Sequence, residues 1–385
     1  MPAPSQTRIF ILTTCLVFTT QLGITIDLPS LASIARDLGM SASGAEISVS
    51  AYVIGVAAPI PLWGFAADRW GRRPVMYAAV GLFAACSLLL AVVDEPWLFV
   101  ALRFVQGIGG GGCSILGRIL ARDTWSGAEL ARRLALLSIS YIVALGGGQF
   151  LGALFERYDL WRLEFVLLAA MALAAAAMSF GMGLAPGRPP RPLRETFDAY
   201  LGLLKLPAFL APTLAGGLSY AALLSYQQAS PFVLGGNYGA DAATIGNVGL
   251  LTALAYFAGS LALSHFVMRT GQERMLEAGS LIVAAAGAVG IALWMTGDTT
   301  LAAFVALYCL VSFGQAVIFP GSMSLAVEAA PGRGVYATAL CSFLHQIVAG
   351  LAAACVALLP HDDAWTAAAA VLFGLAAYAL ARYRA

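Results

Sequence analysis

Gly64-Phe65-Ala66-Ala67-Asp68-Arg69-Trp70-Gly71-Arg72-Arg73 places four charged side chains in a stretch that is flanked by apolar segments at 47–66 and 75–93. Two apolar runs of about 20 residues joined by a short charged connection read as two membrane-spanning helices and the loop between them. Within that loop Gly71 permits a tight turn, and Gly64 lets two helices approach closely. Asp68 can accept hydrogen bonds from the arginines or face the positive N-terminal end of a neighbouring helix. Such a charge cluster can latch one conformation and release it in another. The alternative is that Arg69, Arg72 and Arg73 serve only to fix topology.

Working outward from this loop, the rest of the 385-residue chain has the same character: 60% of residues are hydrophobic and 11% charged, against about 25% charged in soluble domains. Apolar segments recur at 9–29, 47–66, 75–93, 97–117, 134–155, 163–184, 208–231, 243–266, 276–296, 300–320, 335–358 and 364–381. The expectation is an all-α membrane protein of twelve transmembrane helices in two pseudo-symmetric six-helix halves. An even number of spans puts both termini on one side. Of the 21 Lys and Arg residues, 17 fall in the loops and ends on that side and three (Arg36, Arg157, Arg162) on the other, with Arg103 inside a span. The positive-inside rule therefore places both termini in the cytoplasm. The first apolar stretch is longer than a signal-peptide core, ends in a carboxylate and is followed at once by further apolar segments. It reads as a span, although Ser33-Ile34-Ala35 loosely resembles a cleavage site.

Composition also removes several functions. A net charge of +1 offers no basic face for nucleic acid. The six cysteines lie in apolar stretches without C-x-x-C or metal-ligand spacing, which argues against a disulfide scaffold or a zinc site. No nucleophile–histidine–acid constellation is visible, so an enzyme is not expected.

The polar, proline- and arginine-rich stretch 185–206 divides the chain into an N-terminal half, 1–184, and a C-terminal half, 207–385. A weak parallel repeat relates them. Asp27-Leu28-Pro29 corresponds to Ala229-Ser230-Pro231, Arg69-Trp70-Gly71 to Arg269-Thr270-Gly271, and Ile142-Val143-Ala144 to Ile347-Val348-Ala349. Parallel halves point to a transporter with a central site, complete as a monomer.

Few side chains inside the spans can carry its chemistry. Asp27 ends span one, and ionisable groups at membrane depth are expensive and usually functional; the alternative is an interfacial acid facing water. Arg103 lies inside span four and cannot shed its charge, so it needs protein or water around it, and Asp27 is its candidate partner. The pair is either a coupling device or a purely structural ion pair. Gln106, Gly107 and Gly110 share the helical face of Arg103, and the run Gly109–Gly112 allows tight packing. Further polar residues form stripes on their helices. Thr20, Gln106, Tyr141, Gln149, Tyr220, Gln227 and His345 read together as the dispersed polar groups of a mostly apolar cavity, or singly as interhelical hydrogen bonds. Such a lining suits moderately lipophilic molecules better than sugars. His345 is also a candidate second proton carrier.

The loop Gly64–Arg73 resembles the G-x-x-x-D-R-x-G-R-R signature of the major facilitator superfamily. Over essentially its whole length the chain resembles the drug:proton antiporters of that superfamily, in the bicyclomycin/chloramphenicol-resistance branch. The residues that carry this are Asp27-Leu28-Pro29-Ser30-Leu31, Arg103-Phe104-Val105-Gln106-Gly107, Ala229-Ser230-Pro231-Phe232-Val233, Phe319-Pro320-Gly321, and Val356-Ala357-Leu358-Leu359 with Ala364-Trp365. The resemblance implies the major facilitator fold in a bacterial inner membrane and alternating access by two rigid halves. It also implies efflux of small, partly apolar compounds such as phenicol antibiotics in exchange for protons. Asp27 would be the protonated acid and Arg103 the arginine coupled to it. The proton gradient is then the energy source and no cofactor is required; substrate, protons and lipid are the partners.

One motif departs from the family. The span-five antiporter pattern Gly-Pro-x-x-Gly-Gly reads Gly148-Gln149-Phe150-Leu151-Gly152-Ala153, with Gln149 for the proline and Ala153 for the last glycine. The multidrug relatives' extra acid before Asp27 is also replaced, by Thr19 and Thr20. The first departure keeps open an alternative cargo, a metabolite or siderophore moved in either direction.

Overall fold

A computed structural model describes residues 6–125, 127–184, 193–331 and 333–383. The chain forms two compact units, Met1–Arg191 and Pro192–Ala385. The first contains α1 (Gln6–Thr25), α2 (Leu31–Asp37), α3 (Ala42–Ala57), α4 (Ile60–Trp70), α5 (Arg72–Leu90), α6 (Pro96–Thr124), α7 (Gly127–Glu156) and α8 (Arg162–Met178). The second contains α9 (Leu193–Leu204), α10 (Pro207–Tyr238), α11 (Ala242–Thr270), α12 (Gln272–Thr296), α13 (Leu301–Glu328), α14 (Gly334–Val356) and α15 (Asp363–Ala381).

Each of the twelve expected spans coincides with helix, span two being shared by α3 and α4. Among the described residues ten segments are long and apolar enough to cross a membrane, counting 42–70 as one; α7 and the 17-residue α8 stand at spans five and six. Large apolar side chains such as Leu62, Val92, Leu254 and Leu372 are more than half exposed, as expected of helices whose outer faces meet lipid. Within the stretch read as linker, 193–204 is helical, and α9 packs on α10 and α14.

Sequence and structure part company most clearly at the end of span one. The expected helix 9–29 stops at Thr25, passes through a turn and resumes as α2. Pro29 supplies no N–H and disfavours helical backbone at Leu28 before it. The turn is held by Ser30 N–H donating to the Asp27 carbonyl at 3.1 Å and Leu31 N–H to that of Leu28 at 3.3 Å. Pro59 divides span two in the same manner, α4 beginning at Ile60. At its far end α2 is tied to α8 by Trp161 Nε1, which donates to Asp37 Oδ2 at 2.9 Å. That bond, with the neighbouring Arg36, holds the Asp37 carboxyl below its ordinary range.

In the first unit α6 is the central helix, packed against α1, α3 and α5. Its glycines make this possible. A Cβ at Gly107 or Gly111 would collide with the carbonyls of Tyr52 or Val56 on α3, and one at Gly109 with the Phe83 backbone on α5. The Gly109–Gly112 run therefore packs tightly, as its sequence implied.

Candidate functional site

Asp27 sits in the unwound turn between α1 and α2, and Arg103 two turns into α6; both are fully buried. Arg103 Nη2 lies 3.1 Å from Asp27 Oδ2 and 3.3 Å from Oδ1. The other side of the guanidinium is satisfied as well: Nη1 donates to the Gly23 carbonyl at 3.0 Å and to Gln106 Oε1 at 2.8 Å. Gln106 in turn donates to Ser87 Oγ on α5 at 2.7 Å. The guanidinium carbon stands 4.5 Å from the centre of the Tyr52 ring, a contact of about 2 kcal/mol when desolvated. Tyr52 is oriented by donating its hydroxyl proton to the Thr20 carbonyl at 2.8 Å. A buried ion pair breaks even only when its remaining polar atoms are satisfied; here both terminal nitrogens of the guanidinium are bonded, while Arg103 Nε is buried without a hydrogen-bond partner. Gln106 therefore belongs to the cradle of Arg103.

The loop after α4 forms a second charged cluster, centred on Arg72. This arginine is 4% exposed. Its Nε donates to Asp123 Oδ2 on α6 at 2.8 Å, and its Nη1 to Asp68 Oδ1 and the Ala67 carbonyl, both at 2.7 Å. Gly71 makes the turn with φ 93°. Arg73 is half-buried on Tyr77, and Arg69 is exposed. Gly64 differs from expectation: a Cβ there meets nothing within 4 Å, so it makes no close helix approach in this conformation. Asp123, which completes the cluster, escaped the sequence reading because it lies 51 residues from Arg72.

The profile of the Major Facilitator Superfamily matches residues 13–233, more than half of the chain. The chain belongs to the Major Facilitator Superfamily. It is 26% identical, over 98% of its length and 97% of the relative's, to a bicyclomycin resistance protein homolog of Haemophilus influenzae. It is 31% identical, over 74% of each chain, to the multidrug resistance protein MdtL of Klebsiella pneumoniae. Among solved structures, a D-xylose–proton symporter superposes with a TM-score of 0.75 over 97% of this chain and 98% of that one at 15% identity. A POT family transporter does so with 0.76 over 97% and 94% at 12% identity. These two establish the major facilitator fold. A superfamily member of this kind is a multi-pass membrane transporter of small molecules, not an enzyme.

The span-five motif of this superfamily member keeps the two glycines that touch α1. A Cβ at Gly148 would collide with Thr25 Oγ1, and one at Gly152 with the Ile26 carbonyl. Thr25 Oγ1 also donates to the Ala144 carbonyl at 2.7 Å. Gly148 and Gly152 thus seat α7 on the turn that carries Asp27. The altered positions are Gln149, buried and donating to its own Leu145 carbonyl at 3.1 Å, and Ala153.

The remaining residues read as cavity lining are dispersed. Thr20 spends its hydroxyl on the Gly110 carbonyl at 2.8 Å, pinning α1 to α6. Tyr141 lies outside the described side chains. In the second unit Tyr220 packs edge-on to Phe319, and Gln227 is buried. His345 Nε2 stands 3.3 Å from both Ser322 Oγ and Cys341 Sγ, with Gly216 packed against its ring. The sequence reading also passed over Glu46, Glu156 and Glu164, which stand at the ends of expected spans. Glu46 and Glu164 are buried and Glu156 is half-buried.

Proposed function

We propose that this transporter exports small, partly apolar compounds such as phenicol antibiotics in exchange for protons, by alternating access and with the proton gradient as its energy source. The observation that carries the reading is the Asp27–Arg103 pair. A carboxylate with no exposure, matched to a single guanidinium, loses its attraction for that guanidinium when a proton neutralises it. Protonation and rearrangement are thereby linked in one site. Arg103 keeps its charge throughout, and its bonds to Gly23 and Gln106 hold it in place when Asp27 is released.

The names of the bicyclomycin- and multidrug-resistance relatives favour drug export as the direction. The retained glycine contacts of the span-five motif favour it too, because what they seat is the Asp27 turn. Bacterial relatives and the 17-to-3 distribution of Lys and Arg support an inner-membrane location with both termini in the cytoplasm. Each six-helix half has a counterpart within the chain, which supports a working monomer.

The test uses inside-out vesicles energised to be acidic inside, with a pH-sensitive dye. Chloramphenicol, bicyclomycin, a lipophilic cation and a siderophore are added in turn. The expected result is proton release on adding an antibiotic, abolished by Asp27→Asn. Release that persists in Asp27→Asn, or no response of correctly inserted wild type to any drug, overturns the reading. A response to the siderophore alone would assign the carrier to a metabolite.

A further inference from the structure

Around the Asp27 turn there are more buried acids than one arginine can neutralise. Glu164, in the first turn of α8, has no exposure. Its Oε1 accepts from Ser30 Oγ at 2.5 Å, while its Oε2 is buried with no hydrogen-bond partner. The charged groups that act on it are Asp27, Glu156 and Arg103. Two of these repel a carboxylate at this place, and the third already serves Asp27. An isolated ionised carboxylate in a dry interior costs several kcal/mol, so a second ionised acid is disfavoured in this cluster.

The position of Glu164 matters because of what lies on either side. Ser30 is three residues beyond Asp27 in the same turn, and the Glu156 carboxyl, whose Oε2 is buried without a hydrogen-bond partner, lies close enough to feel its hydroxyl. Glu156, half-buried at the end of α7, accepts from Ser33 Oγ on α2. Beyond it are the exposed Arg36 and Asp159, paired at 3.2 Å. Carboxyl groups and a hydroxyl therefore run from the solvent-facing end of the first unit to the buried ion pair. The order is Glu156, Ser30, Glu164, Asp27, with Ser33 steadying the first.

We propose that Glu164 is a second proton-carrying residue, which receives protons from Glu156 through Ser30 and delivers them to Asp27. The proposal rests on the proton-exchange reading of the site. In each transfer an O–H bond forms as another breaks. A proton taken up on Glu156 passes to the Ser30 oxygen as Ser30 gives its own proton to Glu164. Glu164 can accept that proton because it has first given its own to the Asp27 carboxylate, which on losing its charge is released from Arg103. No further reactant is consumed. The break between α1 and α2 has a purpose in this scheme, since it presents Asp27 and Ser30 from one turn. An unbroken helix would point residues three apart along one face in a fixed register.

Two measurements test it on the full-length protein. Infrared difference spectra of purified protein between neutral and alkaline buffer should contain the carbonyl band of a protonated carboxyl at neutral pH. The band should disappear in Glu164→Gln and persist in Asp27→Asn. Its absence from wild type, or its persistence in Glu164→Gln, overturns the proposal. In proteoliposomes, chloramphenicol-driven proton release should slow by about a hundredfold in Glu164→Gln, the lower end of what a positioned proton-transfer group contributes. Ser30→Ala should slow it less, and Glu164→Asp should restore part of the rate. Loss in Asp27→Asn with wild-type rates in Glu164→Gln overturns the relay and leaves proton exchange intact. If wild type releases no protons with any drug, the exchange reading fails, and the infrared band alone then decides whether Glu164 carries a proton.

Discussion

Gly71 and Gly271 adopt nearly the same backbone conformation, φ 93° and ψ 161° against φ 83° and ψ 159°, each joining two helices at equivalent places in its half. The side chains that follow differ. Arg72 pairs with Asp123; its counterpart Gln272 donates instead to Glu328 at 3.1 Å, in an exposed contact. The divergence repeats deeper in each half. Arg103 is the eighth residue of α6 and Tyr308 the eighth of α13, where Tyr308 stacks on Tyr226 with centroids 5.5 Å apart. Asp27 lies in a helix break, whereas Ala229 and Pro231 lie within an unbroken α10. Among the described residues, the buried acids and arginines Asp27, Glu46, Arg72, Arg103 and Glu164 all belong to the first unit. The two halves share the glycine turn, while the buried charge among the described residues lies in one of them. A buried charge is tolerable only beside its partner, so charged positions must be kept or lost as groups.

The comparison is most exposed to failure at Arg103. Arg103→Ala strands Asp27 in the interior and should lower stability by about 3–5 kcal/mol while the protein remains inserted. Adding Asp27→Ala should recover much of that loss, measured by thermal unfolding of the purified single and double variants. Tyr308→Phe, at the matching place in the other half, keeps the ring stacked on Tyr226 and should change stability by no more than about 0.5 kcal/mol. Strict additivity of the first pair would show that the charges are not coupled.

Arg72→Ala comes next. It removes hydrogen bonds between charged groups worth about 1.5–3 kcal/mol each, and drug-driven transport should fall even where the protein is still expressed at the wild-type level. Gly152→Ala should cost about 1–3 kcal/mol by overpacking against the Ile26 carbonyl, and should slow transport by shifting the Asp27 turn. Gly147→Ala, whose added Cβ would have its nearest neighbour at 4.0 Å, is the control. A smaller effect is expected at His345→Gln, about 1 kcal/mol from altered hydrogen bonds to Ser322 and Cys341. Its drug-driven proton release should keep the wild-type pH dependence; a shifted profile would place a proton carrier in the second half after all. The smallest is Gln272→Ala, within about 0.5 kcal/mol of wild type by thermal unfolding, since its partner is exposed.

Much of this was legible in the chain. Apolar runs, the loop Gly64–Arg73 and the glycine-rich α6 follow from local composition. Asp27 and Arg103 stand out as charges in apolar surroundings. Other features were not legible. Glu164 and Glu46 are charged residues at the ends of apolar runs, where an acid ordinarily faces water. Only tertiary packing, of α8 against α1 and α5 with the Ser30 hydroxyl on its first turn, removes Glu164 from it. Asp123 and Tyr52 complete sites whose other members lie 51 residues away in each case, Arg72 for the first and Arg103 for the second. Thr20 and Gln106 read equally well as lining or as packing until their acceptors were seen.

The sequence by itself determined the membrane-spanning class, the number and order of the helices, the internal repeat and the identity of the buried ion pair. These depend on periodicity, length and the cost of a charge among apolar neighbours, all of which are local properties. Tertiary structure alone decided which glycines meet which carbonyls. It also decided that Ser30 joins Glu164 to the turn bearing Asp27. Those outcomes depend on contacts between segments far apart in the chain, as in the 134-residue separation of Ser30 and Glu164, and burial by a distant helix leaves no mark on the composition around the residue it buries.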